Sequence, residues 1–194
     1  MDYSVGKNFA EEHLDELREF LYQAQLMGYG GEEHRGELKS EETGEDDAIK
    51  RVYASGVTEC AYPDGGTKII WEQGDFRFSD KYFGGEPYGG MTVVRYKGRA
   101  CFTMTYHGEV EAGEDKDFVY GCLKAALMAS TPELPIRGPK SYVKSGAMDR
   151  TVDLEYTRVI DGDLTAFSGS EHIAIPLGRV LYEADFIGGL VNLR

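Results

Sequence analysis

The residues best suited to move protons in this chain are His107, with Thr103 and Thr105 on the same expected strand face, and Glu86 in a glycine-rich stretch. A histidine titrates near neutral pH, and a carboxylate can exchange a proton with it. The two would serve as an acid–base pair for a hydrolytic or isomerising reaction if they met in one cleft, directly or through a water. His172 and Glu183 form a second pair, expected to face each other across a hairpin, while Arg99 and Arg137 could bind an anion. Each has a plainer reading. His107 can be a strand histidine bonded to a neighbour, Glu86 a carboxylate that holds its own loop, and His172 with Glu183 a cross-strand surface pair worth a few tenths of a kcal/mol.

Other chemistries find less support. His13, His34, His107 and His172 fall on different expected elements without ligand spacing such as HExxH, so no metal site is expected. Cys60, Cys101 and Cys122 are odd in number and show no CxxC spacing, which suggests buried free thiols rather than a disulfide framework. The sequence has no Gly-x-Ser-x-Gly elbow and no phosphate-binding glycine motif, and no cofactor is expected.

A binding reading starts from Lys81 to Gly90, where four glycines are interleaved with Tyr82, Phe83 and Tyr88. Such a loop, 83–90, can approach a ligand and stack on it. Tyr82, Phe83 and Tyr88 would cover an aromatic pocket beside Trp71, Tyr106 and His107, with Arg137 and Tyr142 close by. Tyr142 would either close over the pocket or pack a loop onto the sheet. The pocket should be preformed and largely apolar, with a few polar groups.

The elements that must position these residues are suggested by an internal match. Gly98-Arg99-Ala100-Cys101-Phe102, ending at Tyr106 and Gly108, matches Gly178-Arg179-Val180-Leu181-Tyr182, ending at Phe186 and Gly188, at a constant offset of 80. Gly74-Asp75-Phe76 and Gly162-Asp163-Leu164 match upstream. Before the first copy, Asn8 and Glu11 approximate a capping box, and Leu14, Leu17, Leu21 and Ala24 recur at helical spacing until Gly28, Gly30 and Gly31 end the run. Before the second copy, Val119, Cys122, Leu123, Ala126 and Leu127 mark another amphipathic helix, with Asp115 or Asp117 near its start.

Two-residue turns then fix expected strand registers. A turn at Gln73-Gly74 pairs Trp71 with Phe76 and Ile69 with Phe78, and one at Lys97-Gly98 sets Val93 opposite Phe102 and Met91 opposite Met104. In the second copy, turns at Asp161-Gly162 and Leu177-Gly178 set Val159 opposite Leu164, and Ile175 and Ile173 opposite Val180 and Tyr182, with Ser168-Gly169-Ser170 crossing between hairpins. The expected fold is α+β: a duplicated helix plus four-stranded antiparallel unit with a pseudo-two-fold, about eight strands, and helices packed on the sheet. It would be a single domain over 1–194, with repeats at about 8–110 and 114–190.

Composition bounds the rest. The chain has 194 residues, 41% hydrophobic and 12% aromatic, enough for one sizeable core. Its formal charge of −13 disfavours direct binding to nucleic acid. No apolar run approaches the roughly 18 to 20 residues that span a bilayer, and no leader pattern opens the chain, so a cytoplasmic protein without a membrane partner is expected. From Gly31 to Lys50 eight acidic residues face three basic ones, and segment 31–50 reads as a mobile acidic loop.

Several short signatures in order resemble the domain of unknown function family 5680. They are Gly74-Asp75-Phe76 through Asp80-Lys81-Tyr82-Phe83-Gly84-Gly85, then Met104-Thr105-Tyr106-His107-Gly108, Arg137-Gly138-Pro139 with Tyr142, Gly162-Asp163, Gly169-Ser170-Glu171, and Val180-Leu181-Tyr182-Glu183. The resemblance covers about Phe20 to Gly189. It implies a soluble prokaryotic domain without an assigned activity, in a family where some members carry an N-terminal helix-turn-helix and so a sensing or interaction role. Here one helix precedes the acidic segment. The chain departs from the family pattern at Gly90-Met91, where an acidic residue would follow the glycine, and at Ile187-Gly188, which replaces a His-Gly.

Three functional expectations follow, in order. The first is a non-catalytic small-molecule-binding or regulatory module with its pocket under loop 83–90. The second is a small enzyme using His107 and Glu86, and the third a protein-interaction domain. A small molecule or a protein is thus the expected partner. The oligomeric state is not legible.

Overall fold

Apolar and polar residues alternate along most of the chain's second and final thirds, and that period of two buries one face of a sheet. The computed structural model describes residues 5–146, 152–176 and 178–191. In chain order its elements are α1 (Val5–Tyr29), α2 (Gly31–Arg35), β1 (Leu38–Thr43), β2 (Ile49–Tyr53), β3 (Thr58–Ala61), β4 (Thr67–Gln73), β5 (Phe76–Phe83), β6 (Tyr88–Tyr96) and β7 (Arg99–Val110). These are followed by α3 (Lys116–Met128), β8 (Ser141–Lys144), β9 (Leu154–Asp163), β10 (Ala166–Ala174) and β11 (Val180–Leu190). All eleven strands form one sheet in the order β1-β2-β3-β4-β5-β6-β7-β11-β10-β9-β8, and every pairing is antiparallel.

This architecture corrects the α+β expectation of a duplicated helix plus four-stranded unit with about eight strands. The fold is β-rich, a single eleven-stranded antiparallel sheet with few helices. The strands not expected are β1 to β3, from residues 38–61 and including most of the acidic segment expected to be a mobile loop, and β8, while two expected strands merge into β10. That segment folds because its acids find partners across strands rather than standing as uncompensated charge. Lys50 meets Glu42 at 3.0 Å, and Arg51 meets Glu41 at 2.6 Å and Glu59 at 3.2 Å. Every residue of β1 is exposed, as suits a charged edge strand that resists further pairing.

The central seam joins β7 to β11, with Tyr106 opposite Phe186 and β4–β7 and β8–β11 flanking it. Near it, local irregularities changed the expected registers. The first turn is Gly74-Asp75, with Gly74 at φ 58°, so Trp71 sits opposite Phe78 rather than Phe76. A bulge at Val94/Arg95 sets Val94 opposite Phe102 and Thr92 opposite Met104. That one-residue shift turns Val94 fully inward and leaves Met91 47% exposed. In the second half, β9 and β10 meet at a turn near Leu164, so Val159 lies opposite Ser170, and Ser168-Gly169-Ser170 runs inside β10 instead of crossing between hairpins. Ile173 faces Tyr182 and His172 faces Glu183 as expected, whereas a bulge sets Val180 opposite Ala174 rather than Ile175. Leu177 lies outside the described residues, as do the side chains of Asn8 and Glu11.

One face of the sheet carries the core. From α1, Leu17, Phe20, Leu21 and Ala24 are buried with Ile69, Trp71, Phe76, Phe78 and Phe102, and Phe20 stacks on Trp71 at 5.3 Å and on Phe76 at 5.0 Å. On α3, capped by Asp115 through the Phe118 amide, Val119, Cys122, Leu123, Ala126 and Leu127 are buried with Leu154, Tyr156, Ile173 and Tyr182. Each large side chain so removed from water contributes about 1.5–3 kcal/mol. Between these two clusters the covered face carries the buried polar residues Asp80 and Arg137 among tyrosines.

Candidate functional site

A cavity of about 400 Å³ lies on the covered face, between the C-terminal end of α1, helix α3 and strands β3 to β7. Tyr29, Tyr82, Tyr88, Tyr106 and Tyr120 line it, together with Asp80, Arg137, the Arg35–Glu59 pair, Leu123, Lys124, Leu127, and Gly84 and Gly85 from the β5–β6 loop. Arg35 fixes the end of α1 by donating to the Met27 and Gly28 carbonyls, and it pairs with Glu59 at 2.9 Å. Such donors at a helix C-terminus satisfy carbonyls that the helix itself leaves open.

Glycines make room for the tyrosines. Gly90 lies opposite Tyr106, and a Cβ there would stand 2.5 Å from the Tyr106 hydroxyl. A Cβ on Gly108, opposite Tyr88, would stand 3.0 Å from the Tyr88 hydroxyl and 2.7 Å from Ala184. Tyr88, Gly89 and Gly90 belong to β6 rather than to the expected loop 83–90. Glycine inside a strand marks a close approach.

Two buried carboxylates organise the polar groups. Asp80, 1% exposed, accepts hydrogen bonds from Thr92 Oγ1 and from the Tyr106 hydroxyl, both at 2.8 Å. Burial raises its pKa against the opposing pull of those two donors and of Arg137. Glu171, also 1% exposed, accepts from Arg137 Nε at 3.1 Å and from Arg137 Nη2, from Tyr156 at 2.7 Å and from Tyr182 at 2.8 Å. Tyr182 meets the Tyr88 hydroxyl at 2.5 Å, and Tyr156 accepts from the Gly138 amide at 3.1 Å.

Arg137 takes a left-handed backbone, φ 61°, and its guanidinium lies 5.4 Å from the centre of the Tyr106 ring. Burial disfavours its charge, but Glu171 together with Tyr88 and Tyr182 outweighs that and holds its pKa above the usual value. Burial also raises the phenol pKa values of Tyr29, Tyr88, Tyr106 and Tyr182, so these groups act as neutral donors or acceptors.

Of the residues expected to bind a ligand, Tyr82, Tyr88, Tyr106 and Arg137 border the cavity. Trp71 lies instead under Phe20 in the core, and Phe83 is 45% exposed with Lys81 over its ring at 4.7 Å. Tyr142, on β8, packs against the α3 cluster. His107 is on the other face of the sheet, because alternation turns it outward where Tyr106 turns inward. There it borders a shallow depression with Thr105, Asp185 and Ile187. Glu86 accepts from the Val110 amide at 2.6 Å and from the Tyr120 hydroxyl at 2.5 Å, tying the β5–β6 loop to α3. His107 and Glu86 are therefore not brought together. His172 shares a hydrogen bond with Thr157, and Arg99 opens β7 opposite Tyr96.

Tyr29, Asp80, Tyr120 and Glu171 were not anticipated as site residues. A signal for both carboxylates exists in the sequence. Asp80 interrupts the inward row Phe76, Phe78, Asp80, Tyr82, and Glu171 interrupts Phe167, Gly169, Glu171, Ile173. A charge at an inward position must be solvated by other protein groups.

The protein-family model described as "Domain of unknown function (DUF5680)" matches residues 80–191, more than half of the chain, starting at the cavity's own carboxylate. No curated protein and no solved structure matches.

Proposed function

The chain belongs to this family of unassigned activity, and from its site we propose that it is a small-molecule-binding module that acts without catalysis, as a sensing or regulatory unit. One observation carries this reading: a cavity of about 400 Å³ that combines tyrosine rings with the buried Asp80 and Arg137. Its volume falls in the range of small-ligand sites, and its walls have their mixture of ring surface and few, fixed polar groups. The polar groups are already held by Thr92, Tyr106, Glu171 and Tyr182, so a ligand would meet an organised site. A regulatory role is supported by where a ligand would sit. It would touch α1, α3 and the sheet together, and its binding energy would favour the state in which they are closed on one another.

His107 turns away from the covered face while Glu86 is committed to the Val110 amide and the Tyr120 hydroxyl, which disfavours an acid–base enzyme built on that pair. A thermal-shift screen of the purified protein against metabolites and nucleotides tests the binding reading. A ligand present at a hundred times its dissociation constant should stabilise the fold by about 2.7 kcal/mol. The shift should vanish in Gly85→Trp, whose new side chain starts from open space at the cavity wall and can cover the mouth at little cost to the fold. A broad library that leaves the wild type unshifted would overturn the proposal.

A further inference from the structure

The charges around the cavity are matched in pairs, with one exception inside it. Arg35 is paired with Glu59 at 2.9 Å, and Arg137 is committed through Nε and Nη2 to Glu171. Lys124, on α3, is exposed at the mouth, where solvent screens it. Asp80 is different. Among the described residues no ion pair reaches it, and both of its hydrogen-bond donors, Thr92 and Tyr106, are neutral. A carboxylate offers about four acceptor positions, and these two donors leave capacity on each oxygen. Arg137 is near enough to favour the ionised form, but its guanidinium hydrogen bonds go to Glu171 and Tyr182 rather than to Asp80.

The rest of the wall suits a positive group. Tyrosine rings present negative faces to a cation, and the wall already shows the contact, since the Arg137 guanidinium stands over Tyr106. An anionic ligand would enter beside the Asp80 carboxylate, and at the Nε–Nη2 edge of Arg137 it would have to compete with Glu171, itself held by two tyrosine hydroxyls.

We propose that the cavity takes a monovalent organic cation, a protonated primary amine carried on a ring or short chain, with its ammonium on Asp80 and its body among Tyr29, Tyr82, Tyr88 and Tyr106. The proposal rests on the reading of the cavity as a ligand site and names the class of ligand that fits it. The ammonium supplies the counter-charge Asp80 lacks and donates to the acceptor positions that Thr92 and Tyr106 leave open. The ring or chain replaces water against the tyrosines.

The test is calorimetric titration of the wild-type protein with phenethylamine, phenethyl alcohol and phenylacetate, three probes of one shape and three charges. Phenethylamine should bind about tenfold or more tightly than the alcohol, a difference that one buried ion pair readily supplies, and phenylacetate no more tightly than the alcohol. Asp80→Asn, which keeps the side chain's shape, should bring the amine down to the level of the alcohol. Equal binding of amine and alcohol, or a preference for phenylacetate, overturns the choice of ligand class while leaving the cavity a ligand site. If none of the three binds and the library also fails to shift the melting temperature, the ligand-site reading falls and this inference with it. Because the wild-type comparison needs no variant, the result stands even if Asp80→Asn folds poorly.

Discussion

The Tyr106 hydroxyl donates to Asp80 Oδ2 at 2.8 Å across the β5–β6–β7 face, and it reaches there because Gly90, its partner on β6, has no side chain. A donor, an acceptor and an empty position on three neighbouring strands thus form one device. Tyr106→Phe should leave that carboxylate oxygen short of a donor and cost about 1–3 kcal/mol in urea unfolding. Gly90→Ala should cost a similar amount by displacing the ring, about 1–3 kcal/mol for forced overpacking. Both should weaken any ligand that shifts the wild type.

Arg137 and Glu171 are buried together. Arg137→Met leaves Glu171 with tyrosine hydroxyls only, and removing one partner of a buried pair costs about 3–5 kcal/mol. The double variant Arg137→Met, Glu171→Leu should recover part of that loss, because the stranded charge has gone. Chemical denaturation of the two proteins checks this. A double variant less stable than the single one would mean that the tyrosine hydroxyls, not the charges, dominate the network.

Burial holds the Asp80 pKa above its unfolded value, so the folded state binds that proton more tightly. The resulting stabilisation is fully present below the unfolded value, about 3.9, and is lost as the pH rises through the folded pKa. Asp80→Asn behaves as the protonated form at every pH. Its stability relative to the wild type should therefore rise from acid toward neutral pH, read from urea midpoints across that range.

His107 faces solvent on the bare side of the sheet. His107→Ala should change stability by no more than about 0.5 kcal/mol, the usual range for a surface substitution, and should leave ligand-induced thermal shifts intact. Glu86→Ala should cost more, about 1–3 kcal/mol, because the Val110 amide loses its acceptor and the Tyr120 hydroxyl keeps only the Gly85 carbonyl, at 3.3 Å.

What was legible in the sequence depended on periodicity. The α1 and α3 stripes and the inward alternation of β5 and β7 follow directly from spacing, and so does the facing of Ile173 by Tyr182. The bulge at Val94/Arg95 was not legible. It exchanges Val93 for Val94 on the buried face, and nothing in Val93-Val94-Arg95 separates the two registers. Strand β1 is hidden because the net charge of segment 31–50 masks its pairing, whereas Glu41 and Glu42 are neutralised by Arg51 and Lys50 one strand away. At the site, the aromatic residues Tyr82, Tyr88 and Tyr106 were legible as a group. Trp71 and His107 were misplaced because sequence proximity to the glycine-rich stretch says nothing about which side of a β-sheet a residue faces. Tyr29 and Tyr120 come from helices more than fifty residues from the loop or across a strand boundary, and only tertiary packing brings them in.

The central claim is that a small molecule binds among the tyrosines on the covered face. NMR spectra of the protein labelled on its tyrosine rings, recorded with and without a compound that raises the melting temperature, test it most directly. The account predicts that resonances of Tyr29, Tyr82, Tyr88, Tyr106 and Tyr120 move while those of Tyr53 and Tyr142 stay in place. Unmoved cavity tyrosines, with amide shifts instead at Thr105, His107 and Ile187 on the bare face, would contradict it.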